Sequence, residues 1–302
     1  MLTFAVIGRV LHRLRVIKFF KSFNPITMKN RLFLLLAGIA FVVLFCTNKE
    51  KTPVKVRPGT ADIEWMIDLR DTAFHSTFAG SSNVSIEYDP FFKKSKNYKG
   101  FSLQHLLDSI IIALKFDTAG AVVVFECQDG YRPTMPLAQV LGDKKGFIAI
   151  RDLDAPPHQN WTDSLAQKMH PFYVVWQGVP KSDHRYAWPY GLYALRLSSA
   201  EAAFKNAYPV DAPEMVAGFR LFSQHCMKCH SVNKVGGLMG PEFNVPKNIT
   251  EYWTEENIIA FAKNPQSFHY RSTMTPVVGV SDESFEKILA YLKYMAKHKI
   301  TI

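Results

Sequence analysis

Apolar and polar positions fall into three regimes along the chain. From Leu32 to Phe45 the residues LFLLLAGIAFVVLF form an unbroken apolar run, with Lys29 and Arg31 before it and Lys49 and Lys51 after it. Between Ile63 and Leu197 the pattern is one of short strands: Val84 to Tyr88 and Tyr190 to Leu197 alternate with a period of two, and Ala121 to Phe125 and Phe172 to Trp176 are continuous apolar runs. One stretch there, Leu106 to Phe116, has helical spacing. Beyond Pro213 the period becomes helical. Phe285, Ile288, Leu289, Leu292 and Met295 recur at i, i+3, i+4, i+7 and i+10 and make one apolar stripe, with Ser281 as N-cap and Asp282 and Glu283 in the first turn. A second helix is predicted from Thr254 to Lys263, ending at Asn264-Pro265. Ser198 to Pro213 is polar, ends in proline and reads as a linker. The chain is therefore expected to be multidomain: a basic N-terminal segment (1–60), an α+β, mostly β middle domain (61–197), a linker (198–212) and an all-α C-terminal domain (213–302).

Composition agrees with a folded chain, since 48% of the 302 residues are hydrophobic and 21% charged. The net charge of +10 belongs to one end. Residues 1–60 hold 11 Lys and Arg against the single acid Glu50, and the other 242 residues balance to zero. A nucleic-acid binder, which needs cations spread over a folded face, is not supported. Fourteen apolar residues fall short of the ~20 that span a bilayer, so the segment at about 32–46 fits either a signal h-region or a short anchor. Basic residues precede it with no acid among them, which keeps the N-terminus cytoplasmic and sends the remainder outward. The expected location is a bacterial cell membrane, facing the periplasm, through a single N-terminal anchor or a lipid. Met28 opens a compact signal-like segment and is an alternative start. Cys46 stands where a lipoprotein carries its acylated cysteine, although Phe45 occupies the place of the usual small residue.

The clearest chemistry lies in Cys226-Met227-Lys228-Cys229-His230. Two thiols three positions apart can reach the two vinyl groups of one haem, and the adjacent imidazole then lies over the iron. A bare Cys-x-x-Cys redox pair is the rival, and it has no need of His230.

The surroundings of this motif resemble a class I c-type cytochrome. Gly218 and Phe222 precede Cys226 by eight and four residues in GFRLFSQHC, as in that family's first helix; Pro241 follows in GLMGPEF; and Met274 lies seventeen residues before Tyr291. The likeness covers about residues 213 to 298. It implies one haem c per chain, attached through Cys226 and Cys229, with His230 and Met274 as axial iron ligands and the Pro241 carbonyl accepting the Nδ1 proton of His230. His269 is the alternative sixth ligand. Met239 is too near the motif to reach the opposite face, and Met295 is on the apolar stripe. The family's proline and glycine before the methionine are replaced here by His269-Tyr270-Arg271-Ser272. Tyr252, Trp253 and Arg271 are candidates to face haem propionates, or else close the core and meet solvent. His225 reads as a surface residue.

The middle domain resembles a shortened sulfite-oxidase-type molybdopterin-binding fold in YKGFSLQHLL, FECQDGYRPTMPLAQVL, FYVVWQGV and WPYGLYALRL. The resemblance places Cys127 at the position of a molybdenum ligand. The segment is short, however, and only Arg132 and Arg151 stand near for a pterin phosphate, so Cys127 reads more economically as a small buried hydrophobe and molybdopterin is not expected. His158, His170 and His184 match no compact metal motif. The expected function is that of a membrane-attached electron carrier whose partners are redox proteins of a respiratory chain or a dehydrogenase. The alternative is a fused oxidoreductase whose middle domain oxidises a small substrate and delivers electrons to the haem, and a third class is a haem sensor.

Overall fold

The computed structural model describes residues 64–71, 80–143, 146–158, 160–161, 169–180, 183 and 185–301. The apolar run at 32–46, Met28, Cys46 and His184 lie outside the described residues. Among the described residues no helix is long and apolar enough to cross a membrane.

The middle domain is built on an eight-stranded antiparallel sheet: β1 (Glu64–Asp68), β2 (Ser82–Asp89), β3 (Lys94–Ser102), β4 (Ala121–Cys127), β5 (Thr134–Pro136), β6 (Gly146–Asp152), β7 (Phe172–Trp176) and β8 (Tyr190–Ser199). Its order is β2-β3-β6-β7-β8-β4-β5, with β1 also pairing β8. β4 and β7 are buried at every residue, which explains their unbroken apolar runs. β8 buries two positions of every three; β4 pairs along one of its edges, and β7 and β1 share the other.

Two helices lie on this sheet, α1 (Leu103–Leu114) and α2 (Leu137–Asp143). α1 starts three residues before the periodicity indicated, because the Ser102 side chain accepts the His105 N–H as N-cap, and it stops where Lys115 turns left-handed at φ 51°. Leu103, Leu106, Leu107 and Ile110 face a core shared with Val123, Phe125, Val174, Trp176 and Leu195. The opposite face carries a smaller cluster of Val84, Ile86, Tyr98, Trp161, Tyr173 and Val175. There Lys96 is 2% exposed, with its ammonium 2.7 Å from Asp152 and 3.3 Å from Asp154. A buried cation held by two carboxylates is costly to leave half-paired.

The C-terminal region contains α4 (Val216–His225), α5 (Glu255–Lys263), α6 (Pro265–Phe268) and α7 (Asp282–Ala296). α5 and α7 begin behind Thr254 and Ser281, whose hydroxyls accept the N–H groups of Asn257 and Ser284. α4 and α7 cross at Gly218, where an added Cβ would come within 2.1 Å of the Lys287 carbonyl oxygen. Phe219, Phe222, Phe285, Ile288, Tyr291 and Leu292 fill the space behind this crossing.

The expectation of a polar linker at 198–212 needs correction. β8 continues through Ser199, and α3 (Ala200–Phe204) follows with Ser199 as its N-cap. Ala207 is fully buried in the C-terminal core, and the Tyr291 hydroxyl donates to its carbonyl at 2.8 Å. The alternation of small and polar residues in SSAEAAFKNAYP concealed two apolar anchors, Phe204 and Ala207, that join this segment to the helices.

Gly218→Val places branched carbons where the Lys287 carbonyl stands, and it is expected to destabilise the C-terminal helices by more than the ~1–3 kcal/mol of ordinary overpacking, read as an early transition in denaturant unfolding. Asp152→Ala leaves Lys96 with only the partly exposed Asp154; a loss of about 3–5 kcal/mol is expected in the unfolding of the middle domain.

Candidate metal centre

α4 ends at His225, and the chain turns tightly through the Cys-x-x-Cys-His sequence. The N–H groups of Cys229 and His230 both donate to the Cys226 carbonyl, at 3.0 and 2.9 Å. Cys226 and Cys229 are free, half-buried thiols. Burial pushes the Cys226 thiol up to about 12, against the opposing pull of Lys228, and burial also raises Cys229. Both are therefore neutral thiols at neutral pH.

His230 is 7% exposed. Its ring stacks on Phe243 with centroids 4.2 Å apart, and Nδ1 lies 3.0 Å from the Pro241 carbonyl oxygen. A carbonyl can only accept, so Nδ1 carries the proton and the Nε2 lone pair is free to ligate a metal. Burial lowers the imidazole below its ordinary range, and the Pro241 hydrogen bond opposes this without reversing it. The ring is accordingly neutral at pH 7, the form a metal requires.

The segment after the motif is moulded to the ring. A Cβ at Gly240 would fall 2.2 Å from His230 Cε1 and 2.5 Å from Nδ1. The Gly240 N–H donates to the Cys229 carbonyl at 2.8 Å, and the Gly237 N–H donates to Met227 at 2.7 Å. Next to Pro241, the Glu242 carboxylate accepts the backbone N–H groups of Asn233 (2.8 Å), Lys234 (3.0 Å) and Asn244 (2.9 Å). A chain of buried amides continues from it. Asn244 donates to Asn233 at 2.7 Å, Asn248 donates to Asn244 at 2.7 Å and to the Leu292 carbonyl at 2.9 Å, and Asn233 donates to the carbonyls of Asn206 and His298. The loop is thereby fastened to α7 and to the segment entering the C-terminal region. Sequence reasoning missed this frame. The clustering of Asn233, Asn244 and Asn248 with Glu242 just after the motif was the available signal.

The other candidates separate. Met274 is half-buried in an irregular stretch held by Gln266, whose Nε2 donates to the Met274 carbonyl at 2.9 Å. His269 is exposed, 6.2 Å between ring centroids from Phe261. Met239 is exposed and Met295 lies in the core. Trp253 belongs to an aromatic group with Phe261 and Phe268, Tyr252 is exposed near Lys247, and Arg271 lies over the Tyr270 ring. His225 is half-buried, and His158 and His170 are exposed in the middle domain. Cys127 is 3% exposed in the middle-domain core, and burial raises its thiol far above the usual range.

Among the described residues no group of three or more His, Cys, Asp or Glu side chains is placed to hold a metal ion. Two neutral thiols, a neutral imidazole with Nε2 free and a glycine-lined surface beside it fit a haem. Residues 215–296 match the family model described as Cytochrome c. This region is a cytochrome c domain. Covalently bound haem c and haem-based electron transfer follow from that membership of the C-terminal region, whereas the match stops short of the middle domain. No curated protein and no solved structure matches the chain.

In the cytochrome c domain, Gly240→Ala forces the His230 ring off Pro241. The expected outcome is a purified chain depleted of haem absorbance while the β-sheet signal in circular dichroism persists.

Proposed function

We propose that the chain is a membrane-attached carrier of single electrons, with one haem c per chain held by Cys226 and Cys229 and ligated axially by His230 and Met274. The observation that carries this reading is the His230 ring, with its Nδ1 proton committed to Pro241 and its Nε2 lone pair left free. Met274 is favoured over His269 because it is a half-buried thioether in a stretch tied back by Gln266, while His269 is exposed. When bound, the haem supplies a ferric/ferrous couple that accepts and returns one electron without bond rearrangement. The protein's own work is to orient His230, to hold the thiols at the right spacing and to exclude water. The basic N-terminal segment with its apolar run at 32–46 supports attachment to a bacterial membrane with the folded regions on the periplasmic side. Respiratory-chain or dehydrogenase proteins are the proposed partners. Residues 213–302 carry 10 bases and 8 acids, so strong electrostatic steering of those partners is not part of the proposal.

A second reading, a fused oxidoreductase, is favoured by one contact: the turn after Cys127 meets the loop that carries Cys229. The two readings differ in metal content and in substrate-dependent haem reduction.

The oxidised wild-type chain is expected to show the long-wavelength charge-transfer band of thioether-ligated ferric haem, lost in Met274→Ala and kept in His269→Ala. A wild-type chain with covalent haem that lacks the band, and whose low-spin spectrum survives Met274→Ala but not His269→Ala, assigns the sixth ligand to His269. Elemental analysis is expected to find iron alone, and molybdenum near one atom per chain would decide for the fused oxidoreductase.

A further inference from the structure

The turn that follows β4 reaches across to the haem-binding loop at two points. The Arg132 N–H donates to the carbonyl of Lys228, between the two motif cysteines, at 2.9 Å. The Leu238 N–H, on the far side of the motif, donates to the Gly130 carbonyl at 2.8 Å. The middle domain thus brackets the motif by backbone contacts, which depend on shape rather than on side-chain identity. Gly130 is required at this contact. Its φ is +87°, and a Cβ there would stand 3.0 Å from Leu238 Cβ and 3.2 Å from the Leu238 carbonyl carbon.

The turn is itself hydrogen-bonded. The Gly130 N–H donates to Cys127 at 3.1 Å, the Cys127 N–H to Tyr131 at 3.2 Å, and the Tyr131 N–H to the Asp129 carboxylate at 2.9 Å. Behind it Arg132 pairs with the buried Glu126 at 2.7 Å; Glu126 also pairs with Arg196, and Arg196 with Glu64 at 2.8 Å. This chain of charges ties the turn to β1, β4 and β8. At its centre Tyr131 packs against the middle-domain core, between the Gly130 and Arg132 backbones that hydrogen-bond the motif loop.

We propose that the turn Cys127–Arg132 is a docking element for the Cys-x-x-Cys-His loop, and that Tyr131 closes the Cys229 side of the haem crevice to water and so raises the haem's reduction potential. The physical basis is that ferric haem carries one more positive charge than ferrous haem, so excluding water disfavours the oxidised form. Tyr131 is half-buried and sits between the two residues, Gly130 and Arg132, whose backbones meet the motif loop. The inference rests on the haem reading above, and it gives the middle domain a role that needs no cofactor of its own.

The test is a spectroscopic redox titration of the full-length haem protein, with haem content and amide hydrogen exchange measured on the same samples. Tyr131→Ser and Gly130→Val are expected to lower the midpoint potential at wild-type haem content, and Tyr131→Phe to keep it. In Gly130→Val the Arg132 and Leu238 amides are expected to exchange faster than in wild type. Unmoved potentials in both Tyr131→Ser and Gly130→Val, with haem attached, overturn this inference alone. Absence of covalent haem from the wild-type chain overturns the underlying reading and this inference with it.

Discussion

The hydrogen bond from His230 Nδ1 to the Pro241 carbonyl is the constraint around which the C-terminal region is arranged. It selects the tautomer, fixes the ring plane and leaves Nε2 as the available donor. A carbonyl can do this only if its own position is fixed. Glu242, the next residue, gathers three backbone N–H groups at 2.8 to 3.0 Å, and the amides of Asn233, Asn244 and Asn248 carry that anchorage to the backbone of α7 and beyond. The three asparagine side chains are buried and paired with one another and with backbone. Such a network specifies one loop geometry because each lost bond leaves a buried group unsatisfied.

The helices serve the same end by a different force. Gly218 lets α4 approach α7 at backbone contact, and behind the motif Phe219 then packs edge to face on Tyr291 while Phe222 meets the same ring at a tilt. Tyr291 also secures Ala207, so the strand leaving the middle domain is drawn into the helical core rather than left as a free tether. The two domains are further joined at the turn after β4. A domain held in this way differs physically from one that swings on a linker, because the contact covers one side of the motif loop.

Much of this was legible in the sequence, and for identifiable reasons. The strands at Ala121 and Phe172 showed as apolar runs because the sheet is covered on both faces there, and α7 showed as a stripe because only one of its faces is buried. The motif and Pro241 are local features, close in sequence to what they touch. What escaped notice was long-range. Phe204 and Ala207 are too few to make a periodic pattern, and Asn233, Asn244 and Asn248 are ordinary loop residues until the fold buries them. The bracket formed by Gly130 and Arg132 is made of backbone atoms 108 and 96 residues from their partners, and it leaves no compositional trace beyond a glycine.

Whether a haem is held by covalent bonds through Cys226 and Cys229 is decided by acid–acetone extraction of the purified full-length chain. The haem is expected to stay with the protein fraction, because thioether bonds survive the denaturation that frees a merely ligated haem; haem released into the solvent, or none present at all, would rule the attachment out.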